Sequence, residues 1–477
     1  MKNKSVITRI PKEIKSSFFF LLVSIFQKGL SFLLSPIFIR IMDSNEYGLM
    51  SVYSSYEELF GTIAMFCLSF GCFDVGMQNY KNDRYRYMFS ILILSNIITI
   101  VTAIFFVIIY PYIKGYLQIS TTLLFAMFIS FILSPAFTFW TREERYKYKY
   151  LMPTILTLIS SFLVTFISIL SVYLFPNNKV EAKIVSSLMV MIPMYIILYL
   201  YIGRKANFRI NLDYIKFAFF FNLPIIPHYL SSYVLNSSDQ LMIASLIGTS
   251  ESGYYHFAYS ISSVVKILWS AISVSLTPYL YEKYEKNDYN SALKRVTKII
   301  EIFGFTCLAT MFICPEVIKI IGTEEFLESI YVIPPVLCAV FFESLYYIFT
   351  SIVYFNKKPK YVMYASIVSA SLNILLNYIL IPKYGYLVAA YTTLICFALQ
   401  AFLDYIVAKK FIESRVFDKK QLLFFSIFMI ICSSIISFLY KSIIIRYIIL
   451  SIIVVLLIYK KETIVNLLLN REKDNIN

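Results

Sequence analysis

Apolar runs of 17 to 32 residues follow one another along this chain, separated by short polar connections. Fourteen can be marked, near 15–38, 49–72, 88–109, 119–140, 152–174, 184–202, 216–247, 252–281, 296–321, 329–355, 360–381, 385–408, 420–440 and 443–459. A bilayer core about 30 Å thick takes roughly 20 residues of helix, so each run predicts a membrane-crossing helix. The runs are too long for barrel strands and lack a period of two. The first is also too long for a cleaved leader and has no A-x-A site, so it is expected to persist as a helix.

Polar residues inside these runs fall into stripes. The first run carries Ser24, Lys28, Ser31 and Ser35, and the second Ser51, Ser55, Glu58, Thr62 and Ser69. The seventh carries His228, Ser232, Asn236 and Asp239. The eighth carries His256, Tyr259, Ser263, Lys266, Ser270, Ser273 and Thr277. Spacings of three, four and seven put each set on one side of its helix. Serines at such positions also serve as polar contacts between packed helices. An ionisable group in hydrocarbon costs at least about 2.5–3.5 kcal/mol, so it normally faces a cavity or a partner. Lys28 and Lys266 are therefore candidate cavity cations, with Ser31, Ser263, Ser270 and Asn236 beside them. Arg40, near the end of the first helix, is a further candidate contact and is also placed to snorkel. Glu58, Asp239 and Glu343 are candidates for charge pairing or ion coupling. Glu57 lies about 100° from Glu58 around the helix and shares its face with Gly61 and Ala64, so one of the two glutamates reads as a buried packing or pairing residue, and Glu57 joins the charge-pairing candidates.

The seventh run is long enough, roughly 48 Å, to require a tilt or a bend. Pro224 and Pro227 remove two backbone donors, which makes them the candidate hinge or gate.

Charge gives the runs a direction. Of 43 Lys and Arg residues, 33 lie in or beside the termini and even-numbered connections and 8 in the odd-numbered ones; Lys28 and Lys266 are the remainder. Positive charge collects on cytoplasmic loops, so both termini are expected there, in a cell (inner) membrane. The net charge of +15 then reflects attraction to anionic lipid, and nucleic acid is not an expected partner. The seven cysteines sit mostly within apolar runs and read as small core residues. There is no G-x-x-x-x-G-K-[ST] loop, H-E-x-x-H or C-x-x-C, and no connection long enough to fold as a catalytic domain. Catalytic residues, metals and cofactors are not expected.

Ile39–Ser55 aligns without gaps on Ala244–Ser260, matching Glu46 to Glu251 and Gly48 to Gly253 at a separation of 205 residues. Six runs lie between equivalent positions, an even number, so the halves share one orientation. The expected fold is an all-α integral membrane protein of about fourteen transmembrane helices: two parallel six-helix lobes around a central cavity plus two C-terminal helices. The boundaries expected are 1–211, 212–415 and 416–477.

Asp239–Tyr259, D-Q-L-M-I-A-S-L-I-G-T-S-E-S-G-Y-Y-H-F-A-Y, resembles the hallmark of bacterial polysaccharide-repeat flippases of the Wzx type, and N-E-Y-G-L at Asn45–Leu49 resembles their element after the first helix. That family belongs to the multidrug/oligosaccharidyl-lipid/polysaccharide exporter superfamily. The resemblance implies alternating-access translocation of undecaprenyl-diphosphate-linked oligosaccharide to the outer leaflet for O-antigen, capsule or related polymers. It also implies membrane lipids as partners, H⁺ or Na⁺ coupling, and contacts with the polymerase and glycosyltransferases of the pathway. Lys28 and Lys266 would then offset the diphosphate charge. A lipid II flippase and a cation-coupled drug exporter are alternatives in the same superfamily. A membrane polymerase or ligase, and an envelope-assembly scaffold, are alternatives of other classes.

Overall fold

The computed structural model describes residues 12–411 and 417–459, all of whose regular structure is helical. The helices are α1 (Lys12–Ile41), α2 (Ser44–Ala64), α3 (Cys72–Asn79), α4 (Arg84–Leu117), α5 (Thr121–Tyr146), α6 (Leu151–Leu174), α7 (Lys179–Lys205), α8 (Leu212–Asn222), α9 (Ile226–Leu246), α10 (Thr249–Glu285), α11 (Tyr289–Ile321), α12 (Ile333–Phe355), α13 (Pro359–Tyr384), α14 (Leu387–Phe411), α15 (Lys419–Leu439) and α16 (Ile443–Tyr459). A 3-10 segment, Glu324–Val332, leads into α12. Ten spans among these residues are long and apolar enough to cross a bilayer: α4 to α7, α10, α11, α12 with its 3-10 lead, and α13 to α15. Each of the fourteen predicted runs falls mostly on helix. The protein is an all-α membrane protein.

The chain forms two compact units, residues 1–233 and 234–477. In the first, α6 and α7 carry large apolar side chains on the outside, such as Phe166 and Ile197, as lipid contact requires. The interior holds Cys72, Phe73, Met77, Tyr87, Ile91, Phe139 and Ile202. In the second, α12 is buried over most of its length and packs chiefly on α14.

Both members of the sequence repeat form a helix–turn–helix junction, α1 to α2 and α9 to α10. At the first, the Asp43 carboxylate accepts from the Glu46 N–H at 2.7 Å and the Glu46 carboxylate accepts from the Asp43 N–H at 3.0 Å. This closes a capping box. Lys179 lies 2.9 Å from the same Glu46 carboxylate.

Two helices depart from the continuous spans predicted. The second run, expected through residue 72, stops at Ala64 and turns before α3. The seventh breaks between Asn222 and Ile226. One side chain explains both. Asn222, fully buried, donates through Nδ2 to the Phe66 carbonyl (3.0 Å) and accepts from the Cys72 N–H (3.3 Å). It thereby satisfies backbone groups that a helix would have paired internally. Phe66 and Cys67 take left-handed φ values of 54° and 51°, and Gly71 one of 61°. At Gly71 a Cβ would also stand 3.1 Å from both the Ile225 and Phe221 side chains. At the second break Pro224 lies in the turn and Pro227 at the start of α9, where missing donors cost least.

Candidate functional site

The α10 stripe converges with α9 and α12 on Lys266. Its ammonium donates to Asn236 Oδ1 at 2.7 Å and to the Tyr259 hydroxyl at 2.9 Å, and lies 2.9 Å from Glu343 Oε2. The rings of Tyr259 and Phe397 stand 5.1 and 5.7 Å away. A lysine has three N–H donors, and here all three are engaged. The charge is balanced by Glu343, so an anion reaches Lys266 only by displacing a partner. Two of the residues predicted to sit with Lys266 do not touch it: Ser263 donates to the Ser260 carbonyl (2.7 Å), and the exposed Ser270 to that of Ile267 (2.7 Å). Further along the stripe, Ser273 and Thr277 line a cavity of about 190 Å³ with Trp269, Tyr281, Tyr347 and Tyr354.

Asp239 occupies a separate buried network. Its carboxylate accepts from the Tyr255 hydroxyl (2.7 Å), from Asn377 Nδ2 (2.6 Å) and from the Thr393 hydroxyl. Asn377 bridges to Asn373 (3.3 Å) and accepts from Thr392, while Ser238 reaches Asn373 at 3.4 Å. No lysine or arginine pairs with Asp239 among the described residues. The carboxylate is held by neutral donors, an arrangement that concentrates negative potential among carboxamide and hydroxyl oxygens.

In the first unit a cavity of about 280 Å³ is lined by Tyr53, Ser54, Glu57, Ser130, Lys183, Ser187 and Tyr195, with Met50, Ala126, Ile184, Leu188 and Met191. The sequence pattern placed Lys183 in a connection, but α7 begins at Lys179 and carries it inward. Its ammonium lies 3.1 Å from the Met50 sulfur and 3.9 Å over the Phe38 ring, and it makes no salt bridge among the described residues. A cation and Glu57 thus share one hydroxyl-rich cavity without an ion pair between them.

Lys28 and Ser31 lie on α1, but their side chains fall outside the described residues. Arg40 and Glu58 are exposed on the first unit. Sequence reasoning missed Lys183, Asn373, Asn377, Thr392 and Thr393. The α13 asparagines follow Ser366 and Ser369 at helical spacing, so the stripe test applied to that run would have found them.

A family model described as "Polysaccharide biosynthesis protein" matches residues 14–284, and one described as "MatE" matches 224–379. No curated protein matches the chain significantly. Solved structures resemble it closely in fold. A lipid II flippase, MurJ, in an inward closed conformation superposes with a TM-score of 0.70 at 14% identity, over 93% of this chain and 99% of that one. An inward-facing multidrug resistance MATE-family transporter of the MOP superfamily gives 0.61 at 12%, over 80% and 94%. A Vibrio cholerae MATE transporter gives 0.54 at 12%, over 85% and 97%.

Proposed function

The chain belongs to the polysaccharide biosynthesis protein family, and on that premise we propose that it moves undecaprenyl-diphosphate-linked oligosaccharide from the cytoplasmic to the outer leaflet of the cell membrane. Its termini lie in the cytoplasm, as the loop charge favours. The observation that carries the reading is the Lys266 cluster. A buried ammonium ringed by a carboxamide, a phenol and a displaceable carboxylate suits a phosphate that arrives and leaves. Lys28 and Arg40 are further head-group contacts in this reading.

The Lys183 cavity supplies hydroxyls and a second cation for sugar hydroxyls. At about 280 Å³ it is near the lower end of small-molecule sites, roughly 300–1,000 Å³, which suits one or two sugar rings. The break at Pro224 and Pro227 provides the hinge for alternating access. The Asp239 network, with carboxylate, carboxamide and hydroxyl oxygens, suits coupling to H⁺ or Na⁺. Polymerase and glycosyltransferases of the same pathway are the partners this role implies.

The test is complementation of a strain lacking its own repeat-unit flippase. Lys183→Gln combined with Lys266→Met and Glu343→Leu should abolish surface polymer and cause lipid-linked oligosaccharide to accumulate, at normal protein level. Wild-type surface polymer in that variant overturns the assignment. Rescue of a lipid II flippase depletion instead would favour the peptidoglycan precursor as cargo.

A further inference from the structure

A buried file of polar side chains runs along the seam of α13 and α14, away from the Lys266 cluster. Ser366, Ser369, Asn373 and Asn377 follow one another on α13 at spacings of 3, 4 and 4, on one face of the helix. Thr393, Gln400 and Asp404 do the same on α14 at spacings of 7 and 4. All seven are essentially inaccessible. The Asp239 network closes one end of the file. Asp404 stands at the other, eleven residues beyond Thr393, or about 16 Å along the helix and roughly half the thickness of the hydrocarbon.

The two ends differ in their hydrogen bonding. Around Asp239 every carboxylate oxygen is engaged. Toward Asp404, Gln400 Nε2 reaches Ser366 at 2.9 Å, but Ser369 Oγ, Gln400 Oε1 and both Asp404 oxygens have no hydrogen-bond partner among the described residues. An ionised carboxylate at membrane depth, without a donor or a cation, is the least tolerable state such a group can adopt. A neutral carboxylic acid is tolerable, and it needs an acceptor for its own O–H. Gln400, one turn earlier on the same face, presents an unengaged carboxamide oxygen. Buried polar groups of this kind ordinarily do not remain unpaired.

We propose that Asp404 is a proton-binding residue, and that the hydroxyls of Ser366 and Ser369, oriented by the carboxamides of Gln400 and Asn373, pass that proton along the seam toward Asp239. Asp404 takes the proton from water at the end of α14 that the charge pattern assigns to the cytoplasm and returns it to water or a hydroxyl on the file; each hydroxyl that accepts a proton releases its own to the next acceptor, so one O–H bond forms for each that breaks. Among the described residues, Tyr346 on α12 feels the charges of both Asp404 and Glu343. On α13 the buried face toward it carries Ser366, Ser369, Asn373 and Asn377, all uncharged, and Lys409 and Lys410 on α14 itself are exposed at the helix end. The inference goes beyond the glycan assignment and does not depend on it.

The test uses the full-length protein in liposomes with no glycan present. A lipid-soluble carbodiimide reacts with protonated carboxyls, and peptide mass spectrometry locates the adduct. Asp404 should be modified in acidic and neutral buffer and progressively less in alkaline buffer, with no protection by Na⁺. Proton uptake reported by a trapped dye should be lost in Asp404→Asn and slowed several-fold in Gln400→Leu. Asp404→Asn reproduces the shape of the neutral acid and should fold and melt like the wild type. Absence of the adduct at every pH, protection by Na⁺, wild-type proton uptake in Asp404→Asn, or failure of that variant to fold would each overturn the proposal. Because no oligosaccharide enters this assay, its result is independent of which cargo the protein carries.

Discussion

Lys266 and Glu343 form an ion pair of 2.9 Å inside the second unit, and the lysine's other two donors are engaged by Asn236 and Tyr259. Removing one member leaves the other charge buried and unpartnered, at a cost of roughly 3–5 kcal/mol. Lys266→Ala and Glu343→Ala should each lower the melting temperature in detergent markedly. The double variant Lys266→Met with Glu343→Leu should recover most of the loss and still fail to export. A fluorescence melt together with a surface-polymer assay separates the two effects.

Lys183 gives the opposite pattern. It has no acidic partner among the described residues, so Lys183→Gln removes a buried charge that nothing balances. The variant should melt at the wild-type temperature or above it while export falls. A large loss of stability would show that its contacts with Met50 and Phe38 matter more than its charge.

Asn222 should be intolerant of substitution. Asn222→Leu fills the space but strands the Phe66 carbonyl and the Cys72 N–H, at roughly 1–3 kcal/mol for each group. Gly71→Ala meets both an unfavourable φ, worth about 1–2 kcal/mol, and the close side chains of Ile225 and Phe221. Thermal unfolding of both variants in one detergent checks the order, with Asn222→Leu the more damaged.

Replacing Pro224 and Pro227 together with alanine offers donors where α8 gives way to α9. Export should slow while expression stays normal. Unchanged export would remove the prolines from any gating role.

Outside the membrane spans, Asp288 caps α11 and lies 2.9 Å from Lys283. Hydrogen bonds from Lys283 and Ser291 hold its carboxyl down at about 2, against about 3.9 for a free aspartate. A depressed value stabilises the folded state above the unfolded pKa, and that contribution is lost as pH falls toward 2. The difference in melting temperature between wild type and Asp288→Asn should therefore be constant above about pH 4 and close below it. The side chain is partly exposed, so solvent screening keeps the difference small.

The all-helical membrane architecture was legible in the chain because long apolar runs mark membrane-crossing helices by length and composition alone. The stripe on α10 likewise led to Lys266, and Glu343 was marked separately in its own run, since an ionisable residue in hydrocarbon stands out against its neighbours. Asn373, Asn377 and the Thr392–Thr393 pair did not stand out. They are uncharged, and their role depends on Asp239 arriving from a helix more than a hundred residues away. Lys183 was hidden differently, because the polar start of α7, K-V-E-A-K, reads as a connection until the helix is seen to begin there. The interruption of α2 was invisible for a third reason. Its cause, the Asn222 carboxamide, lies 156 residues from the carbonyl it satisfies.

That carboxamide also constrains how the chain can change length. Inserting or deleting one residue between Phe66 and Cys72, or just ahead of Asn222, would rotate one partner out of reach by about 100° and release two interrupted helices at once. Both stretches should therefore reject single-residue indels, although the polar connections on either side of them accept such changes.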